Sequence, residues 1–310
     1  MNDQPSEMFD MQSAPYALQT YCGYVRSWVE NIGRLYGFQS DYKDLRNATL
    51  QIKNVEKLQG GVNPSQKLKA SYSRGKLTLK AMESFPINEN KQLASTANLW
   101  LPVQAYYAIH GAGLATMISL GQNEPKDHRA FRASFSNLAS NYLPPPFNAQ
   151  CSNGPEACDF IFKSLSTTTK DVIDYSSLSN PVYSGNIDCA IGKCLSTTRS
   201  KFLDKLFDKA RYNKPNKKRK RRNLSKDEKQ NISIGLHSTS LLDFLYRMRV
   251  RSNYDAPDIY LYAHGQVDDA VRHYNDLTCL TKAIFSSLSV IIEKKLGKST
   301  FEIIERTLND

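Results

Sequence analysis

No stretch of this 310-residue chain is apolar enough, for long enough, to span a bilayer. Residues 1–13 are polar and acidic, unlike a secretory signal. Both absences lead us to expect an intracellular, cytoplasmic chain with no membrane partner. Alternation of apolar and polar residues never reaches useful length, which argues against a sheet-based fold. Internal repeats are absent, and so are the phosphate loop, the dinucleotide fingerprint and the metalloprotease motif. Cysteine is scarce, and six in an intracellular chain do not make a disulfide framework. Cys22 and Cys279 lie in apolar helical patterns and read as core. Histidine occurs five times, and no spacing among His110, His128, His237, His264 and His273 demands catalysis. His110 sits on an apolar helix and reads as a packed core residue, whereas His128 opens a helix and reads as exposed.

What is present is helical patterning. Apolar residues recur every three or four positions through residues 16–60, 67–85, 100–120, 127–139, 238–255 and 258–297. Residues 100–120 are apolar almost all round, with Ala108, Gly111, Ala112, Gly113 and Ala115 permitting close helix packing. Pro144, Pro145 and Pro146 form a hard stop, after which Ser, Thr, Asn, Asp and Gly dominate to residue 235. Residues 200–210 supply the one clear helix of that stretch. The expectation is an all-α protein. Residues 1–60 form a helical extension, 67–140 and 236–297 the two halves of a bundle, and 298–310 a short last helix. Residues 141–235 read as a polar, partly disordered insertion.

The bundle's second half carries the densest chemistry. Leu241, Leu242, Phe244, Leu245 and Met248 set a helical spacing, and Ser240 with Asp243 suggests a capping box. Pro257 disfavours helix at Ala256, so the helix should end near Asp255. Arg247, Arg251 and Tyr254 or Asp255 then share one stripe, with Arg249 and Asn253 on the neighbouring one. Guanidinium forks at that spacing suit phosphate oxygens. Cations at a helix C-terminus also offset the dipole without binding anything.

Net charge is +11, and its distribution matters more than its sum. Lys214 and the run Lys217, Lys218, Arg219, Lys220, Arg221 and Arg222 hold seven positive charges with no acid among them. That tract reads as a sequence-blind phosphate clamp, as a nuclear import signal in a nucleated cell, or as a solvated linker. Cys151 with Cys158, and Cys189 with Cys194, form two loose pairs. Either they bind zinc as four thiolates or they are scattered free thiols.

Three features coincide: Tyr106-Tyr107-Ala108-Ile109-His110-Gly111-Ala112 on the apolar helix, His128 in the following segment, and Arg249-Val250-Arg251-Ser252-Asn253-Tyr254 on the late helix. Together they resemble the HEPN superfamily, compact helical bundles of RNA-targeting defence proteins and toxins. The family's hallmark is an Arg followed by four to six residues and a His, and one branch carries Arg-x-Lys-Ala-Asp-Tyr. The resemblance casts Arg249 as the motif Arg, Arg251 and Asn253 as its basic and polar positions, and Tyr254 as the residue in the His position. It implies RNA as the partner, a homodimer, and a metal-independent endoribonuclease that needs no cofactor, with an antitoxin or a nucleotidyltransferase beside it. Tyr titrates near pKa ~10 and is a poor base where His would serve. Two other readings therefore stand: a non-catalytic or nucleotide-binding scaffold that dimerises through the motif helix, and a nucleotidyltransferase target modified at Tyr254.

Overall fold

The computed structural model describes residues 14–37, 41–87, 89–152, 173–174, 182–183, 187–212, 223–255, 260, 267–306 and 308. The chain is all-α. Its helices are α1 (Ala14–Tyr36), α2 (Lys43–Leu50), α3 (Lys53–Glu56), α4 (Gln66–Glu83), α5 (Leu93–Ser119) and α6 (His128–Tyr142). They continue as α7 (Ile187–Tyr212), α8 (Lys226–Ile234), α9 (Leu241–Val250), a π-helical turn (Arg251–Asp255), α10 (Val267–Leu296) and α11 (Lys298–Arg306). A two-residue antiparallel ladder pairs Ile173 with Tyr183 and Asp174 with Val182.

Helix α5 is the axis. It packs along α4 and α10 and also meets α9 and the π turn. Its small residues act at one crossing. A Cβ at Gly111 would lie 2.7 Å from the Cα and N of Gly75 and from the Ser71 carbonyl, all backbone atoms. A Cβ at Gly75 would lie 2.7 Å from the Ala108 carbonyl. The α4 and α5 backbones therefore touch where neither carries a side chain. Two residues further on, and so on the other side of α5, Gly113 gives way to the rings of Phe131 and Phe135 from α6. Asp127 caps α6, its carboxylate accepting from Ala130 N at 2.7 Å.

Described residues of 1–60 and of 141–235 contribute to this same core. From α1 come Tyr21, Tyr24, Val25 and Trp28, and from α7 Ala190, Ile191, Cys194 and Leu195. Helix α7 thus begins well before residue 200, and its first half is part of the bundle. Its second half holds a satellite cluster of Leu203 and Phe207 with Leu224 and Leu236. Arg199, 1% exposed, ties the middle of α7 to the end of α8. Its guanidinium donates to the carbonyls of His237 at 2.8 Å and Ser233 at 2.9 Å. One buried side chain thereby satisfies the backbone at the α8 terminus and holds it against α7.

Candidate nucleic-acid interface

Helices α6, α7 and α9 enclose a cavity of about 340 Å³. Arg129 and Arg132 line it from α6, Lys201, Phe202, Lys205, Leu206 and Lys209 from α7, and Tyr246, Arg247, Val250 and Arg251 from α9 and the π turn, with Leu236 completing the wall. Seven of these twelve residues are cationic and none is acidic, so the cavity is a site of positive potential. The cations are graded by depth. Arg129, Lys201, Lys205 and Lys209 are exposed, Arg247 and Arg251 half-buried, and Arg132 is buried.

Arg132 is held from behind. Its Nη1 donates to Asp243 Oδ1 at 2.7 Å, and Asp243 is fully buried. His237 Nε2 reaches the same oxygen at 3.0 Å, while Oδ2 accepts from Ser240 N at 2.9 Å as the capping contact of α9. The guanidinium stacks on Tyr246 at 4.2 Å and Phe202 at 4.7 Å from the ring centroids. Its Nε is buried and has no acceptor among the described residues, and the same holds for Nε of Arg251.

Tyr246 also borders a second group of side chains. Arg249, 8% exposed, turns away from the cavity toward α5. Its guanidinium lies 5.3, 5.0 and 5.6 Å from the ring centroids of Tyr106, Tyr107 and Tyr246. Nη2 donates to the Tyr107 hydroxyl at 3.0 Å. Beside it, the Tyr106 hydroxyl and His128 Nδ1 share a hydrogen bond of 2.9 Å, and the His110 ring lies 5.5 Å from that of His128. Burial pushes His110 down to about 4, helped by the neighbouring His128 and by Arg74 and Arg249. Burial and then Arg249 and Arg132 lower His128 as well, against a smaller pull from Asp127. Burial keeps the Tyr106 hydroxyl protonated past the ordinary phenol range, though Arg132 and Arg249 oppose it. That hydroxyl serves either His128 tautomer. As acceptor it takes Nδ1–H and leaves Nε2 able to accept a proton.

The motif residues named from the sequence are therefore divided. Arg247 and Arg251 share the cavity, as their stripe predicts. Tyr254 does not join them and is 67% exposed. The π turn over Arg251–Asp255 is wider than an α turn and takes Tyr254 off that stripe. Arg249 stands in the tyrosine–histidine group, and Asn253 is half-buried. His128 is half-buried and hydrogen-bonded rather than exposed. The cavity also takes in lysines of α7 that no motif marks, although Lys201, Lys205 and Lys209 recur every fourth residue in a recognisable helix.

Lys214 and residues 217–222, the basic tract, lie outside the described residues, as do Cys158 and the side chain of Cys189. Cys151 and Cys194 are both fully buried in the core. Burial pushes the Cys194 thiol up to about 12, away from the thiolate a metal needs. Among the described residues, no group of three or more His, Cys, Asp or Glu is placed to hold a metal ion. No described helix is long and apolar enough to cross a membrane. Compared with protein-family models, curated proteins and solved structures, the chain matches none.

Proposed function

We propose that this chain binds RNA through its phosphates, with the cavity between α6, α7 and α9 as the anchor. The observation that carries this reading is the cluster of seven cations, without an acid, in one cavity of about 340 Å³. A cavity of that charge is costly to keep unless an anion offsets it. The resemblance to HEPN domains favours RNA among polyanions, and the adjacent Arg249, Tyr107, His110 and His128 favour cleavage without a metal. In such a reaction a neutral histidine accepts the 2′-hydroxyl proton as O2′ bonds to phosphorus. The P–O5′ bond breaks, and a proton goes to the leaving oxygen, giving a 2′,3′-cyclic phosphate and a 5′-hydroxyl. Arg249 is suited to the charge that grows on phosphorus. The exposed Tyr254 supports one other reading, in which a partner nucleotidyltransferase modifies its hydroxyl.

Fluorescence anisotropy of labelled single-stranded RNA across a salt series tests the binding. Log affinity should fall linearly with log salt, by roughly 0.7 for each phosphate neutralised. Changing Lys201, Lys205 and Lys209 together to Gln should flatten that slope by roughly 2. No binding by the wild-type chain at low salt overturns the proposal. Incubation with total RNA, with and without chelator, tests cleavage. Cutting that survives chelator and fails in His128→Asn is the expected result, and cutting lost to chelator alone overturns it.

A further inference from the structure

We propose that the cavity between α6, α7 and α9 recognises a phosphate monoester, the terminal phosphate of an RNA strand or of a free nucleotide, with Arg132 at its base. This rests on the phosphate-binding reading above and goes beyond it by naming which phosphate. The first observation is the grading of charge. Arg129, Lys201, Lys205 and Lys209 are exposed, Arg247 and Arg251 half-buried, and Arg132 is the one buried cation among the residues that line the cavity. A strand lying across the mouth meets the exposed lysines on the way. To reach Arg132 with an internal phosphodiester it would have to carry two sugars inward, one on each side. A monoester carries one, so a chain end brings its phosphate inward with less bulk than a continuous strand.

The second observation is the set of unmet donors. Nε of Arg132 and Nε of Arg251, both on cavity-lining side chains, are buried and have no acceptor among the described residues. A buried guanidinium donor is costly to leave unpaired. A monoester offers three terminal oxygens and a charge of about −1.5 to −2 at pH 7. A diester offers two and a single charge, a poorer match to a cavity that keeps six cations besides Arg132, whose charge Asp243 offsets. The third is preorganisation. Asp243, Tyr246 and Phe202 fix the Arg132 guanidinium before any ligand arrives, and a fixed fork loses little entropy on binding.

The test uses the full chain and four probes: one RNA oligonucleotide bearing a 5′-phosphate, the same oligonucleotide with a 3′-phosphate, the same with hydroxyls at both ends, and AMP as competitor, with adenosine as its control. We expect at least one phosphorylated end to bind about tenfold tighter than the hydroxyl form. AMP should displace it and adenosine should not. Arg132→Lys should erase that preference, so that the phosphorylated and hydroxyl forms bind alike. Arg251→Gln should weaken the preference in a chain whose buried ion pair is intact. Equal affinity for all three oligonucleotides overturns the inference and leaves RNA binding standing. AMP binding without RNA binding supports the inference and overturns the RNA reading. Binding of neither overturns both. An end preference that survives both variants places the recognition elsewhere and overturns the assignment to this cavity. If Arg132→Lys fails to fold, the wild-type comparison and Arg251→Gln still decide.

Discussion

Arg249 concentrates the chemistry of its surroundings into one side chain. It is nearly buried, lies among three tyrosine rings and donates to one hydroxyl. Arg249→Ala removes that contact and the packing of the aliphatic stem, and should cost about 2 kcal/mol of stability by chemical denaturation. If the group cleaves RNA, the same change should slow cleavage on the order of a hundredfold. Tyr254→Phe is the matched control. Its ring is largely solvated, so the melting temperature should not move, and a loss of cleavage there would restore the hydroxyl to the reaction. His110 adds a pH dependence whose sign is fixed. Its ordinary value of 6.5 falls to about 4 in the folded chain, so between those values the unfolded chain binds the proton and the folded chain does not. Its contribution is complete above about pH 6.5 and is lost as pH falls toward 4. The size is at most about 3 kcal/mol, reduced by screening at a ring that is not fully buried. Denaturant titrations from pH 7 to 4 should show that loss, and His110→Asn should shrink it. A slope unchanged in the variant would assign the acid sensitivity to other groups.

Among the elements, α5 was the most legible from sequence and α7 the least. The small residues of α5 are an intrinsic signal, because backbones can approach only where side chains are missing. Gly111→Ala should therefore cost about 3 kcal/mol or more, since the new methyl meets backbone on α4 that has no rotamer to yield. A change in melting temperature within error would contradict the tight crossing. The early part of α7 gave no such signal. Its inward face is Ala190, Ile191, Cys194, Leu195 and Thr198, small or weakly apolar residues among serines, threonines and lysines. Local composition there resembles a loop, and only tertiary packing on α1 and α9 makes it a helix. The bonds from Arg199 to the backbone at the end of α8 are equally invisible in sequence, because a carbonyl has no residue type. The π turn was hidden for the same reason. Arg247 and Arg251 were found together because the helix before that turn is regular, and Tyr254 was misplaced because the turn is not.

At the scale of the whole molecule, the charge excess has at least two addresses. The tract at residues 217–222 was legible as a run of cations, whereas the cavity draws its seven from α6, α7, α9 and the π turn, scattered over the chain. The tract connects α7, which lines the cavity, to α8. Replacing Lys217, Lys218, Arg219, Lys220, Arg221 and Arg222 with Ser and Gly should weaken all RNA sequences alike and flatten the salt slope. Unchanged binding at low salt would make the tract a linker. The resemblance to HEPN domains also predicts a homodimer, in which two copies of α9 face one cleft. Light scattering should then report twice the 35.1 kDa chain mass, and a monomer across micromolar concentrations would rule the dimer out.

Tyr246 separates two groups of side chains without isolating them. The Arg132 guanidinium lies 4.2 Å from its ring centre and that of Arg249 5.6 Å. A ligand bound to Arg132 also acts on the ring on which Arg249 rests. Thermodynamic reciprocity then applies: whatever occupancy of the cavity does to the arrangement around Arg249, a ligand at Arg249 does in equal measure to affinity in the cavity. Tyr246→Leu keeps an apolar partition but gives up the shared π face. The two halves of the site should then titrate as strangers, each blind to whether the other is filled.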